Sequence, residues 1–393
     1  MKTVEILFWI GLFIVFYTYV GYGIILFLLV KIKEIFSKNE NNKGVRDLPE
    51  VTLLIAAYNE ESVVDSKMTN CLELDYPTEL LKIVWVTDGS DDNTNTLLAN
   101  YQRADVLFEP ARGGKTAAVN RAMDYIKSPI VVLTDANTYL NKEAIMEIVT
   151  LFNDPKVGCV AGEKRVLSKD KDTASAGGEG LYWMYESKLK DLDSRLYSAV
   201  GAAGELYAVR RELYKHMEKS VLLDDFIQSM QIAMRGYKIA YSSKAYAAEG
   251  ASLDMNEEKK RKVRIAAGGL QSVAMLLPLL NLFKYGMLSF QYISHRVLRW
   301  TLTPIFLFLL LPMNLLLVNE YPNSGIYLTL LALQILFYVG GYMGFVLAER
   351  NLKNKVLFVP YYFLFMNINV FRGAKYLYKK GKGSGIWEKA KRA

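Results

Sequence analysis

The sequence predicts an α/β domain with a largely parallel sheet, joined to transmembrane helices on both sides. Two observations support this fold class. Between residues 51 and about 160, short β-rich runs alternate with helix-like stretches, as they do in β-α-β units. Long apolar segments flank this region, and the first of them, Val4–Val30, carries a single charge, at Glu5.

The N-terminal segment, residues 1–33, is predicted to be a retained membrane anchor. Val4–Val30 is long enough to cross a hydrocarbon core of about 30 Å as a helix. The segment is followed by Lys31 and Lys33 rather than by a small-residue cleavage site of the A-x-A kind. Because only Lys2 precedes the span, the positive-inside rule places residues 31 onward in the cytosol.

Residues 50–255 are predicted to form the α/β domain, after a polar linker at 39–49. The predicted strands are Val51–Ala57, Leu81–Thr87, Asp105–Phe108, Ile130–Thr134 and Val157–Ala161. The predicted helices are Glu61–Leu74, Asn93–Gln102, Lys115–Ile126 and Lys142–Phe152. Ligands of such sheets bind beyond the carboxyl ends of the strands, so polar residues at those ends are candidates for a site.

The C-terminal third is predicted to lie in and on the membrane. Residues 256–292 are basic and then amphipathic, as expected of interfacial helices. Within the membrane region 293–372, Ile293–Val318 and Ile326–Ala348 are long enough to span. Val356–Phe371 is shorter and contains Pro360, so it is predicted to bend back or to lie in the inner interface.

The cysteine count indicates the redox compartment of the protein, and the distribution of charge indicates what its tail binds. Cys71 and Cys159 are the only cysteines in 393 residues, which fits a reducing compartment without a disulfide framework. Much of the net charge of +8 lies in the tail 373–393, beside a hydrophobic segment. Lipid head groups are therefore the expected partner of this cytosolic tail, and no nucleic acid is expected.

Polar turns follow two of the predicted strands. Tyr58-Asn59-Glu60 follows the first strand, and Asp88 opens Asp88-Gly89-Ser90 after the second. Each alone is also typical of an ordinary helix cap or turn. Their common position at strand ends makes them candidates for binding a ligand.

The run Gly113-Gly114-Lys115-Thr116 resembles part of a phosphate-binding loop. The full motif requires a further glycine where this chain has Glu109, so the nucleoside triphosphatase interpretation fails on spacing. A flexible turn that delivers Lys115 to a diphosphate is consistent with the remaining residues.

Two further pairs of residues, one with a single carboxylate and one with two, are candidates for the chemistry of the site. Asp135 and Asn137 follow the apolar strand Ile130–Thr134, and their oxygens suit a hard divalent cation that grips a diphosphate. Asp224 and Asp225 open a predicted helix, where acids also favour the helix dipole. The functional alternative is that one of them deprotonates a sugar hydroxyl.

The order and spacing of these clusters resemble the inverting family 2 glycosyltransferases, the group of the cellulose, chitin, hyaluronan and poly-N-acetylglucosamine synthases. The resemblance covers roughly residues 50–265. It implies a GT-A-like domain, a nucleotide-sugar donor, and a divalent cation, Mg²⁺ or Mn²⁺. The residues that it assigns to the donor are Tyr58, Asn59, Glu60, Asp88, Lys115, Asp135 and Arg264, with the metal at Asp135 and Asn137.

The resemblance also assigns the acceptor side. Gly201 and Gly204, followed by Arg210, match the acceptor loop of the family, and Asp225 falls on its catalytic Asp. Asp224 is the next candidate for the base. The family motif Q-x-x-R-W appears here as Arg261-x-x-Arg264-Ile265, without the Gln and the acceptor-stacking Trp.

The expected function is therefore transfer of a sugar, with inversion, from a nucleotide-sugar such as a UDP-sugar. The acceptor is a lipid-linked saccharide or a polysaccharide of the cell envelope, and the missing Gln and Trp favour the first slightly. A processive polysaccharide synthase is the alternative within the family. A nucleotide-binding transporter or scaffold is a distant alternative, because charges are scarce inside the apolar segments. The expected location is the inner (plasma) membrane, with a cytosolic catalytic domain.

Overall fold

The computed structural model describes residues 1–36, 47–167, 174–250, 255–350, 352 and 354–380. Most of the predicted linker and residues 381–393 of the predicted basic tail lie outside these described residues. Cys71 and Cys159 are both buried and are not joined in a disulfide.

A single mixed sheet of eight strands forms the centre of the α/β domain. The strands are β1 (Val51–Ala57), β2 (Leu81–Asp88), β3 (Ala104–Glu109), β4 (Ile130–Asp135), β5 (Tyr139–Leu140), β6 (Val157–Leu167), β7 (Leu206–Arg210) and β8 (Lys238–Gly250). Their order in the sheet is β3-β2-β1-β4-β7-β6-β8-β5.

The expected largely parallel sheet is present: six of the eight strands run in one direction, and β7 and β5 run in the other. Strands β3, β2, β1 and β4 are parallel, whereas β7 runs antiparallel to both β4 and β6. Because β7 is antiparallel to β4, Leu206 at the start of β7 pairs with Thr134 near the end of β4. The loop that precedes β7 therefore lies at the same edge as the carboxyl ends of the parallel strands.

Helices cover both faces of this sheet. Those of the α/β domain are α3 (Val64–Leu72), α4 (Thr94–Leu98), α5 (Lys115–Tyr125), α6 (Ala144–Leu151), α7 (Ala174–Leu196) and α8 (Asp224–Met234). Alternate strand residues enter two separate cores: Leu54 and Val131 pack with α5 and α8, whereas Leu53 and Val132 pack with α3 and α6. Side chains alternate between faces along a strand, so one apolar run supplies both cores.

The N-terminal helix is longer than the predicted span. α1 (Lys2–Phe16) and α2 (Tyr22–Phe36) are joined by a π-helical turn into one continuous helix. Tyr22, Leu26 and Val30 of α2 pack against the leucines of α7. The second half of this helix therefore packs on the α/β domain, whereas Phe8 in the first half packs with Leu310 and Leu317 of the C-terminal third.

The remaining helices form a layer beneath the α/β domain and a bundle of long apolar helices. They are α9 (Met255–Met275), α10 (Leu282–Tyr285), α11 (Met287–Tyr292), α12 (Leu298–Trp300), α13 (Leu302–Glu320), α14 (Gly325–Glu349) and α15 (Lys355–Lys380). By length and composition, the described residues contain four candidate membrane spans: Lys2–Phe36, Leu302–Glu320, Gly325–Glu349 and Val356–Lys379.

Two of the predicted membrane segments differ in the structure. The span expected to begin at Ile293 begins at Leu302, because His295 and Arg299 are buried in contacts with the acidic residues Asp193 and Glu186 of α7. α15 continues unbroken through Pro360, so the predicted bend is wrong. Its Tyr362 hydroxyl reaches Glu258 of α9, and its Gly373 lies against Ala266 of α9, so the two helices run side by side in the same direction.

Candidate active site

Hydrogen bonds from Asn59 connect the turn that follows β1 to the turn that follows β2. Its backbone has a φ of +53°, a left-handed conformation that Asn tolerates better than most residues. Its amide N–H donates to Ser90 Oγ at 3.1 Å, and its side-chain Nδ2 donates to Asp91 Oδ1 at 2.6 Å. The structure therefore places Asn59 and its buried neighbour Glu60 beside the Asp88 turn.

Asp88 holds the glycine turn that precedes α5. Its two carboxylate oxygens accept the N–H groups of Gly113, at 3.0 Å, and Gly114, at 2.6 Å. Gly114 has a φ of +91°, a conformation that favours glycine, and it immediately precedes the helix. This arrangement presents Lys115 at the N-terminus of α5, where backbone N–H groups also favour an anion.

Arg112 is a member of the site that the sequence interpretation missed. Its guanidinium carbon lies 3.7 Å from the centroid of the Tyr58 ring, a stacked cation–π contact. Both residues line one cleft together with Asp88, Lys115, Asp135 and Asn137. An arginine in an exposed loop has no periodicity or spacing that would reveal it; its only sequence signal is its place directly before the glycine turn.

Lys115 and Asp135 form an ion pair, with 2.5 Å between Nζ and Oδ1. Burial alone would lower the pKa of Lys115, but the charges of Asp135, Asp224 and Asp225 outweigh it and raise that pKa above its ordinary value. Four charged groups from three separate parts of the chain therefore share this small region.

Asp135 and Asn137 supply two oxygen donors at the end of β4. Among the described residues, no group of three or more His, Cys, Asp or Glu side chains could hold a metal ion. One carboxylate and one amide oxygen nevertheless suit Mg²⁺ or Mn²⁺, since such ions commonly take one or two protein carboxylates and complete their shell with phosphates and water. The donor set therefore fits a cation shared with a diphosphate.

Gly201 and Gly204 leave room for the neighbouring side chains. Gly201 has a φ of +85°, and the Phe226 ring occupies the place of any Cβ there. A Cβ at Gly204 would lie 3.3 Å from Asp225 Oδ2 and 3.4 Å from Lys115 Nζ. Asp225 and Lys115 thus approach the same glycine, although they lie in different helices and are 110 residues apart in the sequence.

Asp225 lies in the first turn of α8, directly after Asp224. Burial, reinforced by the negative charge of Asp224, raises the pKa of Asp225 to about 7, although Lys115 opposes the shift. A carboxyl group whose pKa is near neutrality can exchange a proton with a bound molecule at physiological pH.

Arg264 reaches the same region from α9. Burial lowers the pKa of its guanidinium, while Asp224, Asp135 and Asp225 act in the opposite sense. The structure therefore brings Arg264 to the acidic residues at the edge of the sheet, as the sequence predicted.

Arg210 is the predicted site residue that the structure does not bring to this edge. It pairs in register with Ile130 at the opposite end of β4. Its guanidinium donates to the carbonyls of Val157, at 2.8 Å, and Phe152, at 2.8 Å. Placing Arg210 on the acceptor side was wrong, because five residues of β7 carry it to the far edge of the sheet.

A buried cluster behind Gly204 was also missed. Lys164 pairs with both Glu205 and Glu249, and all three side chains are largely shielded from solvent. Burial would raise the pKa of Glu205, but the Lys164 ammonium outweighs it and holds that pKa well below its usual range. Glu249 belongs to the same buried cluster.

Residues 49–267 match the family model described as glycosyltransferase-like family 2. The match covers more than half of the chain and contains every candidate residue described above. The chain belongs to glycosyltransferase-like family 2. Its α/β domain is of the GT-A type, and the four long apolar helices among its described residues make it a membrane protein.

Two curated relatives of this glycosyltransferase differ in their named products. The poly-beta-1,6-N-acetyl-D-glucosamine synthase of Staphylococcus aureus (strain COL) is 27% identical over 237 residues, 58% of this chain and 56% of the relative. The beta-monoglucosyldiacylglycerol synthase of Trichormus variabilis is 30% identical over 165 residues, 40% of this chain and 34% of the relative. The chain thus aligns with about half or less of each relative's length.

A solved structure shares the fold of nearly the whole glycosyltransferase. The mannosyltransferase PcManGT from Pyrobaculum calidifontis, in complex with GDP-Man and Mn²⁺, aligns with 95% of this chain and 100% of its own, with a TM-score of 0.68 and 22% identity. At that identity the likeness supports the fold, including the membrane helices, and nothing finer.

Proposed function

We propose that this glycosyltransferase transfers a sugar, with inversion, from a nucleoside-diphosphate sugar to a hydroxyl group of a lipid-linked acceptor. The observation that supports it best is the approach of Asp225 and Lys115 to Gly204. It places a group able to take a proton beside a cation able to hold a diphosphate. An acceptor hydroxyl and the anomeric carbon of a donor would meet between them.

The donor occupies the cleft at the ends of β1, β2 and β4 in this proposal. The nucleoside lies by Tyr58, Asn59, Glu60 and Asp88, and Arg112 adds a cationic and stacking surface. Lys115 and Arg264 face the diphosphate, whose oxygens they bind by charge-assisted hydrogen bonds. Asp135 and Asn137 hold Mg²⁺ or Mn²⁺, which neutralises charge on the departing nucleoside diphosphate when bound.

Asp225 acts as the general base of the transfer. Its carboxylate accepts the proton of the acceptor hydroxyl while the acceptor oxygen forms a bond to the anomeric carbon. The bond from that carbon to the diphosphate breaks on the opposite side, so the configuration inverts and no covalent enzyme intermediate is needed. General-base catalysis of this kind contributes about 10²–10⁴ in rate.

The residue after Arg264 bears on the choice of acceptor. The chain has Ile265 where processive members of the family have the acceptor-stacking Trp, which favours a single addition to a lipid-linked acceptor. A processive polysaccharide synthase is the second candidate, and the similarity to the Staphylococcus aureus synthase supports it. In both cases the catalytic domain lies on the cytosolic side of the plasma membrane.

A donor screen with the purified full-length chain tests the proposal. Release of nucleoside diphosphate is measured for a panel of UDP- and GDP-sugars, with Mg²⁺ or Mn²⁺, with and without membrane lipid extract. We expect one donor to respond to the extract and a glycosylated lipid to appear in the organic phase. Long water-soluble glycan would instead identify the processive alternative, and no release from any donor would refute both.

A further inference from the structure

A cavity of about 290 Å³ lies beneath the catalytic domain, separate from the donor cleft. Its walls come from the N-terminal helix, α7, α9, α12 and α15. Most of the lining side chains are apolar or aromatic, including Phe358, Phe363 and Met366. The volume is at the lower end of the range of sites that hold small organic ligands.

The charged side chains in the lining are all cations. Of the described residues around the cavity, these are Lys262, Arg296 and Arg299. Their acidic partners lie behind the wall: Glu186 pairs with both arginines, and Glu258 lies 3.5 Å from the Lys262 ammonium. The cavity therefore combines apolar walls with an electropositive side, which suits a ligand with a hydrocarbon part and an anionic part.

One wall of the cavity touches the catalytic machinery. The ring of Trp300 packs edge-on against the ring of Phe226, with 5.3 Å between centroids, and Phe226 directly follows Asp225. Trp300 also fits against Gly269 of α9, where a Cβ would lie 2.6 Å from its ring. The rings of Trp300 and Phe226 therefore connect the wall of the cavity to the residue that follows the proposed base.

The cavity lies where the membrane helices meet the catalytic domain. Tyr19 lines it from the N-terminal helix and donates from its hydroxyl to Asn367 Oδ1 of α15 at 2.9 Å. Only three residues further along, Tyr22 begins the stretch that packs on α7. Polar lipid head groups occupy this boundary, and basic pockets between helices on the cytosolic side bind anionic ones.

We propose that this cavity binds a membrane lipid that carries a phosphate group, with the phosphate at Lys262, Arg296 and Arg299. Its hydrocarbon chain follows α15 past Phe358 and Phe363. The source is either a polyisoprenyl phosphate or a bulk phospholipid, which share this chemistry. The inference rests on the proposed function in one respect: it takes the bound lipid to be the anchor of the acceptor or its neighbour.

Lipid retention by the detergent-purified full-length chain tests the proposal. Native mass spectrometry measures binding of a polyisoprenyl phosphate, phosphatidylglycerol, diacylglycerol and inorganic phosphate. We expect the two phosphate-bearing lipids to bind at least about tenfold more tightly than diacylglycerol or inorganic phosphate. Tighter binding of the polyisoprenyl phosphate identifies an acceptor site, and equal binding of both identifies a bulk-lipid site. Equal retention of diacylglycerol overturns the proposal.

A cavity-filling variant and a matched control locate the binding. Met366→Trp places an indole in the cavity, whereas Ile368→Trp makes the same change on an exposed position of the same helix. We expect Met366→Trp to weaken binding of the phosphate-bearing lipid by about tenfold and Ile368→Trp to leave it unchanged. Equal binding to both variants, with unchanged thermal unfolding, excludes this cavity.

Substitutions of Arg296 test whether its positive charge binds the phosphate of the lipid. Arg296→Gln should abolish most of the preference for phosphate-bearing lipid over diacylglycerol, and Arg296→Lys should retain most of it. A preference that survives Arg296→Gln in a folded protein contradicts the phosphate assignment. Donor binding, measured by calorimetry on the same variants, separates the two proposals: intact donor binding without lipid binding refutes the lipid site alone.

Discussion

The Lys115 ammonium lies 2.5 Å from Asp135 Oδ1, so the first residue of α5 is tied to the last residue of β4. Both residues line the cleft that also contains Asp88 and Asn137. Through Gly204, Lys115 also approaches Asp225. Lys115 therefore connects the cleft at the ends of β1, β2 and β4 with the Asp225 carboxylate at the start of α8.

Removing the carboxylate of Asp135 tests the proposed metal site. Asp135→Ala deletes the only formal negative charge in Asp135-x-Asn137, and we expect cation-dependent donor binding to weaken by at least about tenfold. Calorimetric titration of the donor, with Mn²⁺ and then with excess chelator, measures the effect. Asp105→Ala, at an exposed position of β3, is the control. Full activity of the unsubstituted protein in excess chelator would refute the metal assignment.

Asp225→Asn tests the base. The substitution keeps the size of the side chain and should preserve donor affinity, while kcat falls by about 10² or more because the amide accepts no proton. Donor titration and nucleoside diphosphate release measure the two effects separately. If kcat stays within a few-fold of the unsubstituted enzyme, Asp225 is not the base and Asp224 becomes the candidate.

The pH dependence follows from the raised pKa of Asp225. A base must be ionised to accept a proton, and the pKa of Asp225 is about 7, so kcat should decrease as pH falls through neutrality. Asp224→Asn removes the neighbouring negative charge, which lowers that pKa and moves the decline to lower pH. Rate profiles between about pH 5 and 9 measure both. A profile that Asp224→Asn does not displace would show that another group titrates.

Gly204→Ala tests whether the glycine keeps Asp225 and Lys115 within reach of one substrate. The new methyl group would lie 3.3 Å from Asp225 Oδ2 and 3.4 Å from Lys115 Nζ, so it displaces one of them or the substrate. We expect kcat/KM to fall by about tenfold or more, with little change in thermal unfolding. Gly325→Ala, where a Cβ meets nothing within 4 Å, is the matched control. Equal activity of the two variants would remove Gly204 from the site.

The proposed topology places the end of α15 in the cytosol. Tyr378→Cys introduces a thiol at an exposed position near that end, while Cys71 and Cys159 are buried. A membrane-impermeant thiol reagent should label it only after permeabilisation. Asn323→Cys, in the exposed turn between α13 and α14, should be labelled in intact cells. Labelling of Tyr378→Cys in intact cells would mean that α15 crosses the membrane.

Local pattern predicted that polar residues at the strand ends lie together, whereas their assignment to a donor came from the family resemblance. Apolar runs alternating with helical spacing indicate parallel strands, and parallel strands end at one edge, so Asp88 and Asp135 had to lie near each other. Lys115 follows from the same logic, because its glycine turn connects two of those strands. These features depend on periodicity and chain order, which are properties of the sequence itself.

Tertiary structure decided where Gly204 and Arg210 lie relative to the site. β7 runs antiparallel beside β4, which brings Gly204 to the site and carries Arg210 away from it. Arg112, Lys164 and the cavity beneath α9 depend on contacts between segments far apart in the chain, and no local spacing encodes such contacts. The unbroken course of α15 past Pro360 has the same origin: its packing along α9 and α14 outweighs the local preference of proline to interrupt a helix.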